Sequence, residues 1–183
     1  KSGCTYWTYD AQSGVRSAIT VTKLDGGRHA IFFGDFNANV YALNADTGAE
    51  IWTVEVEDHE GARITGAPVL YEDRLYVPVS SLEEVMAADP EYACCSFRGS
   101  VGALDVETGE LVWKSFTIPE VPSPRGRNPD GAFLLGPAGA AVCVSHPDKA
   151  FHDFVYVATT LFIINVMASE WLMGSMWIAG VKA

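Results

Sequence analysis

The residues best suited to chemistry are two neighbouring cysteines, Cys94 and Cys95, with Arg98 close behind them. Adjacent thiols that oxidise to each other close a minimal loop, so the bond adds little chain-entropy stabilisation. A pair kept for a local purpose, such as a flat face turned to a bound group, is one reading; two reduced thiols in a loop is the other. Cys4 and Cys143 stand alone, and no C-x-x-C or C-x-x-C-H spacing offers a zinc or haem signature. His29, His59, His146 and His152 lack ligand spacing with the cysteines, so no metal ligand is assigned. Arg16 and Arg63 each precede a run that reads as the first strand of a repeat. A guanidinium there can grip a carboxylate with two parallel hydrogen bonds, or it can be a rim arginine paired with a nearby acid. The same alternatives hold for Arg98. Asp35, Asp58, Glu60 and Asp130 are carboxylates with no constellation around them. No nucleophile–His–acid order or phosphate loop is visible, so the catalytic residue is unknown.

The elements that must position these groups come from a repeat. Val40-Tyr41-Ala42-Leu43-Asn44-Ala45-Asp46-Thr47-Gly48-Ala49-Glu50-Ile51-Trp52 aligns without a gap on Val101-Gly102-Ala103-Leu104-Asp105-Val106-Glu107-Thr108-Gly109-Glu110-Leu111-Val112-Trp113. Gly3 and Trp7 repeat the closing Gly-x-x-x-Trp spacing at the start of the chain. Each copy reads as a strand, an Asn or Asp turn with Thr-Gly, and a second strand closed by an indole. An internal repeat of this kind decides the architecture before any single element does.

Ala42, Thr47, Gly48 and Trp52, with Ala103, Thr108, Gly109 and Trp113, form a motif A-L-[ND]-x-x-T-G-x-x-x-W that resembles the tryptophan-docking motif of the quinoprotein (PQQ) β-propellers. The words around Tyr6-Trp7-Thr8-Tyr9, Val15-Arg16-Ser17-Ala18 and Cys94-Cys95-Ser96-Phe97-Arg98-Gly99 are similar to the polyvinyl-alcohol dehydrogenase branch. The resemblance implies an all-β fold: part of a β-propeller, eight-bladed when closed, built of four-stranded antiparallel blades. It implies that each docking Trp packs between neighbouring blades. It further implies PQQ and calcium as cofactors, an alcohol as substrate, a cytochrome c as electron acceptor and a periplasmic location. Cys94, Cys95, Arg16, Arg63 and Arg98 are then the candidate cofactor-binding residues. In the alcohol-oxidising members a vicinal disulfide lies against the PQQ ring. Here the pair precedes a third strand rather than lying nearer a first one, a departure from that pattern. The family's catalytic Asp and calcium ligands match no residue of this chain. A non-catalytic propeller that binds proteins during outer-membrane assembly is the alternative.

With 183 residues the chain is too short for a closed propeller of repeats of about 40–50 residues, so it reads as a fragment whose other blades are missing partners. The expected division is a blade end at 1–8, a blade at 9–57, a second at 58–117, the start of another at 138–160, and an atypical apolar tail at 161–183. Strands are expected at Ser17–Leu24, His29–Gly34, Val40–Leu43 and Ile51–Val56. In the second blade they are expected at Ala67–Tyr71, Leu75–Val79, Val101–Leu104 and Leu111–Phe116. Ala140–Val144 and Phe154–Thr159 begin the next. An insertion at about Ser80–Phe97 carries the cysteine pair, with a helical turn or two at Ser81–Ala88. Ile118–Gly139, with its prolines, reads as an ordered surface loop or lid, or as a variable linker over one face. Leu161–Ala179 reads as a buried helix or as sequence foreign to the repeat; the longest uncharged run, Phe154–Ser169, falls short of the roughly 20 residues a membrane helix needs. Hydrophobic residues at 49% and charged residues at 19% describe a globular chain. A net charge of −11 leaves no basic patch for nucleic acid.

Overall fold

The computed structural model describes residues 3–147, 154–160 and 176–182. The first sheet runs β1 (Thr20–Lys23), β2 (His29–Gly34), β3 (Asn39–Asn44) and β4 (Glu50–Glu55), each antiparallel to the one before. The second has a split inner edge, β5 (Ala62–Arg63) and β6 (Val69–Tyr71). Both pair with β7 (Arg74–Ser81), and a short helix α1 (Glu83–Met86) leads on to β8 (Ser100–Asp105) and β9 (Leu111–Phe116). Two strands, β10 (Ser123–Arg127) and β11 (Phe133–Gly136), form a separate hairpin. A third sheet holds β12 (Ala141–Pro147), β13 (Phe154–Thr160) and β14 (Met176–Lys182).

Strand alternation explains the stacking. Along β2 and β3, Ala30, Phe32, Val40 and Ala42 point to one face, where Ile64, Val77, Val79 and Leu104 of the second sheet meet them in one core. Ile31, Phe33, Tyr41 and Leu43 point to the other, where Trp7, Tyr9 and Ala11 of the N-terminal segment cover them. Strands buried on both faces read as continuous apolar runs, as His29–Gly34 does. The second sheet is covered in turn by Val142 of β12, packed with Tyr76, Val101 and Ala103.

The docking motif is the device that joins one layer to the next. The Trp7 indole lies where a Cβ on Gly48 would stand, 2.6 Å away, and donates its N–H to the Ala45 carbonyl at 3.1 Å. The Trp52 indole repeats this on Gly109, 2.7 Å from a hypothetical Cβ, and donates to the Val106 carbonyl at 3.1 Å. Both glycines have positive φ, +73° and +74°, so the residue must be Gly for conformation and for space at once. Asn44 and Asp105 shape the two turns alike: Oδ1 of Asn44 accepts the N–H of Asp46 and Thr47, and Oδ1 of Asp105 accepts the N–H of Glu107 and Thr108. Trp52 is buried, whereas Trp113 is half-buried against Tyr76.

Two expectations need correction. The helix reading of the tail gives way over Met176–Lys182, which is a strand paired in register with β13; Trp177, Ile178 and Val181 are residues that favour a pleated surface. The rest of the tail, 161–175 and 183, lies outside the described residues. The segment Ile118–Gly139 is an ordered hairpin rather than a loop throughout. Pro124 is accommodated in β10 because the register shifts between Pro124 and Gly126, and a bulge is where a strand tolerates the missing donor. The expected helical turn within Ser81–Ala88 is present as α1, entered after β7 ends at Ser81.

Candidate functional site

Antiparallel pairing gives the stacked sheets two ends. The docking turns lie at one. At the other lie the β2–β3 turn, the β4–β5 connection, the insertion between β7 and β8, and the long connection that leaves β9. All five candidate cofactor residues belong to this second end. Arg16 precedes β1 beside the Val15–Asp35 bridge, Arg63 opens the inner edge of the second sheet, and Cys94, Cys95 and Arg98 sit in the insertion.

The cysteine pair is half-buried, with its two Sγ atoms in bonding contact. It is strapped by β11. The Leu135 N–H donates to the Cys94 carbonyl at 2.6 Å, and the Cys95 N–H donates to the Leu135 carbonyl at 3.4 Å. Beyond the pair, the Gly139 N–H donates to the Phe97 carbonyl at 2.6 Å. The hairpin thus lies alongside the insertion, and Asn128 near its tip reaches the Pro90 carbonyl at 2.7 Å.

Beneath the pair is a polar cluster that sequence reasoning missed. Glu83, 3% exposed, accepts the Ser96 N–H at 2.6 Å and the Phe97 N–H at 2.9 Å. It also accepts the Ser96 hydroxyl at 3.3 Å and the Tyr92 phenol at 3.2 Å. Burial first, then the neighbouring Glu83 charge, pushes the Tyr92 phenol well above its ordinary range. His59 Nε2 lies 2.9 Å from the Ser96 hydroxyl and 3.8 Å from Glu83. Its Nδ1 accepts the Gly61 N–H at 3.0 Å, so the proton of the neutral ring belongs on Nε2. That tautomer cannot take the Ser96 proton, and the trio is therefore not a hydrolytic Ser–His–acid arrangement. The only available signal in the sequence was Glu83 in a helical turn near Cys94; the partners from the β4–β5 connection come from folding.

The arginines divide. Arg98 is committed to the chain itself: it donates to the Ile118 and Pro119 carbonyls at 3.3 and 3.1 Å and stacks 3.9 Å over the Phe116 ring. Neither a free cationic group nor a pairing with a local acid describes it. Arg63 donates one nitrogen to the Glu60 and Ala62 carbonyls and has no ion pair among the described residues. Arg16 is exposed and likewise unpaired among them. Asp35 proves structural. Fully buried, it accepts from Asn37 and Asn39 amides, the Asn39 side chain and the Tyr41 phenol at 2.7 Å. Burial, and then this bond, pushes Tyr41 up to about 12. No group of three or more His, Cys, Asp or Glu that could hold a metal assembles among the described residues. Among them, no helix is long and apolar enough to cross a membrane.

The family described as "Outer membrane protein assembly factor BamB" matches residues 1–151. A polyvinylalcohol dehydrogenase of Pseudomonas sp is 37% identical over 163 residues, 87% of this chain and 26% of that protein. The chain belongs to the quinoprotein (PQQ) β-propeller family. A second polyvinylalcohol dehydrogenase, of a Sphingopyxis species, is 35% identical over 87% of the chain and 25% of its own length. Among solved structures, a europium-containing methanol dehydrogenase superposes with TM-score 0.51 at 25% identity, covering 77% of this chain and 25% of that one. The quinohemoprotein alcohol dehydrogenase of Comamonas testosteroni shares the fold, with TM-score 0.55 at 24% identity over 87% of this chain and 25% of its own. The chain spans about a quarter of the length of these quinoprotein dehydrogenases. Its antiparallel sheets share the fold of those propellers.

Proposed function

We propose that the protein containing this chain is a PQQ-dependent alcohol dehydrogenase, oxidising alcohol groups such as those of polyvinyl alcohol and passing electrons to a cytochrome c. The observation that carries this reading is the half-buried Cys94–Cys95 pair, placed at the same end of the stack as two arginines that have no acidic partner among the described residues. That donor set fits the group: PQQ is a planar tricarboxylate, suited to a flat sulfur-bearing face and to guanidinium hydrogen bonds. Cys94 and Cys95, joined to each other, would lie against the ring, and Arg16 and Arg63 would hold carboxylates. Arg98 would serve indirectly, by fixing the connection after β9. Bound PQQ supplies the two-electron acceptor, while the protein orients and tunes it. No group of three or more candidate ligands assembles among the described residues, so the calcium site is not assigned to this chain. The location that fits such chemistry is the periplasm, where a disulfide persists.

Supplying PQQ and calcium to the full-length protein should give dye-linked oxidation of alcohols and quench intrinsic fluorescence saturably. No quenching at any PQQ concentration would contradict the reading. The family description favours a second one, a propeller acting in outer-membrane protein assembly. Failure to bind PQQ, together with binding to unfolded outer-membrane strands, would select it.

The blade division 9–57 and 58–117, and the start of another at 138–160, is part of the same proposal. Limited proteolysis of the full-length protein should cut between these units before it cuts within them.

A further inference from the structure

The buried carboxylate that this function leaves unused is Glu83. It sits at the start of α1, and its two oxygens are spent on donors from the segment that follows the cysteines. Ser96 and Phe97 donate consecutive backbone N–H groups to opposite oxygens, and Tyr92 donates from the residues before the pair. Two consecutive amides held by one carboxylate fix the direction in which the chain leaves Cys95. On the other side, Leu135 holds both the Cys94 carbonyl and the Cys95 amide. The pair is therefore pinned between a hairpin strand and a buried anion. His59 adds to the anchor from the β4–β5 connection, its Nε2–H facing Ser96 and Glu83. Among the described residues no Lys or Arg pairs with Glu83, so its charge is compensated by these oriented donors.

We propose that Glu83 is a positioning residue for the cofactor face: through the Ser96 and Phe97 amides it holds Cys94–Cys95 in the place where a quinone would meet it. The proposal rests on the reading that the pair faces the quinone. Glu83 itself touches no reacting atom. Gln at position 83 would turn an amide NH2 towards a backbone N–H, so one of the two amides loses its acceptor. A buried donor left without a partner, or one that loses a charged acceptor, favours local opening of the segment by about tenfold or more.

The test uses the full-length protein prepared without PQQ. A brief pulse of phosphine reductant is followed by maleimide, and labelling of Cys94 and Cys95 is read by mass spectrometry. Glu83→Gln should label at least about tenfold faster than the unaltered protein, whereas Tyr92→Phe, which leaves both amides bound, should label at nearly the original rate. Equal labelling of Glu83→Gln and the unaltered protein would overturn the role of Glu83. Should that variant not fold, hydrogen exchange on the unaltered protein decides: Ser96 and Phe97 amides should be protected at least about a hundredfold, and exchange at open-loop rates would overturn the proposal. Adding PQQ separates the two ideas. Protection of the pair by PQQ without any acceleration in Glu83→Gln removes Glu83 alone. Acceleration without protection leaves Glu83 as an anchor of the pair and removes the quinone from this face. In the loaded enzyme, Glu83→Gln should lower kcat while leaving KM for the alcohol unchanged; a rise in KM at constant kcat would contradict a positioning role.

Discussion

At one end of the stacked sheets the same turn is used twice, while at the other no two connections are alike. The repeated end joins β3 to β4 and β8 to β9 with matching hydrogen bonds from Asn44 and Asp105, and seats Trp7 on Gly48 as Trp52 is seated on Gly109. Its chemistry is spent on joining layers. The other end carries the insertion with Cys94 and Cys95, the buried Glu83, the β10–β11 hairpin, and Arg16 and Arg63, which have no acidic partner among the described residues. There, side chains bind backbone far away in sequence, as Glu83 does at Phe97 and Arg98 at Pro119. The difference teaches that one end of this fold is under packing constraint and the other is free to carry a site, which is how function is grafted onto a common scaffold.

The largest expected effect is at the repeated end. Trp52→Ala removes a buried indole that meets Phe32, Gly109 and the Val106 carbonyl, and should cost about 3–5 kcal/mol of stability in denaturant unfolding. Trp113→Ala, at a half-buried indole, should cost roughly half of that. Equal losses would show that the second junction is as closed as the first.

Next in size is a pair of glycine substitutions. Gly109→Ala meets both a left-handed backbone at φ +74° and indole atoms 2.7 Å from the new Cβ. Gly131→Ala, in the hairpin turn at φ +93°, meets nothing within 4 Å. The second should lose about 1–2 kcal/mol for conformation alone, and the first clearly more. Similar melting temperatures for the two variants would break the comparison, because they would mean that the Trp–Gly contact carries no strain-sensitive packing.

The smallest effect distinguishes the two turns from each other. Hydrogen bonds from Thr108, first its amide and then its hydroxyl, hold the Asp105 carboxyl below its usual range. A carboxylate with a depressed folded pKa contributes stability that is present above its unfolded value near 4 and is lost as pH falls through the folded value. Asn44 does the same structural work without a charge. Asp105→Ala should therefore cost about 1 kcal/mol at neutral pH, and Asp105→Asn much less, while flattening the acid limb of the stability profile. An unchanged acid limb in Asp105→Asn would show that the turn is not a source of pH dependence.

The repeated end was legible in the sequence because each turn is built locally and its long-range Trp contacts recur with the repeat. Asn44 or Asp105, Thr, Gly and Trp define the turn within one short stretch, and even the partner of each Trp follows from the repeat. Strands such as His29–Gly34 were legible because they are apolar runs between turn signals. The site end was legible only as a set of residue types. That Glu83 would be buried beneath Ser96 and Phe97 follows from where the insertion folds back, and that His59 would join it depends on the adjacent sheet. Arg98 shows the limit well: its type suggested a carboxylate partner, but Phe116 and two carbonyls were within reach first. In β14, strand-forming residues within a largely apolar tail fit a helix or a strand equally well, because length and apolarity alone do not separate the two.

The central claim is that the end bearing Cys94 and Cys95 serves the cofactor and contributes little to holding the sheets together. Replacing both cysteines by Ser in the full-length protein and measuring melting temperature beside PQQ-dependent alcohol oxidation tests it most directly. The account predicts a melting temperature within a few degrees of the unaltered protein, since the bond closes almost no loop, and a fall in quinone-dependent activity of at least about tenfold, or about 1.4 kcal/mol of transition-state stabilisation. Full activity with an unchanged melting temperature would contradict it, and so would a large loss of stability with activity retained below the melt.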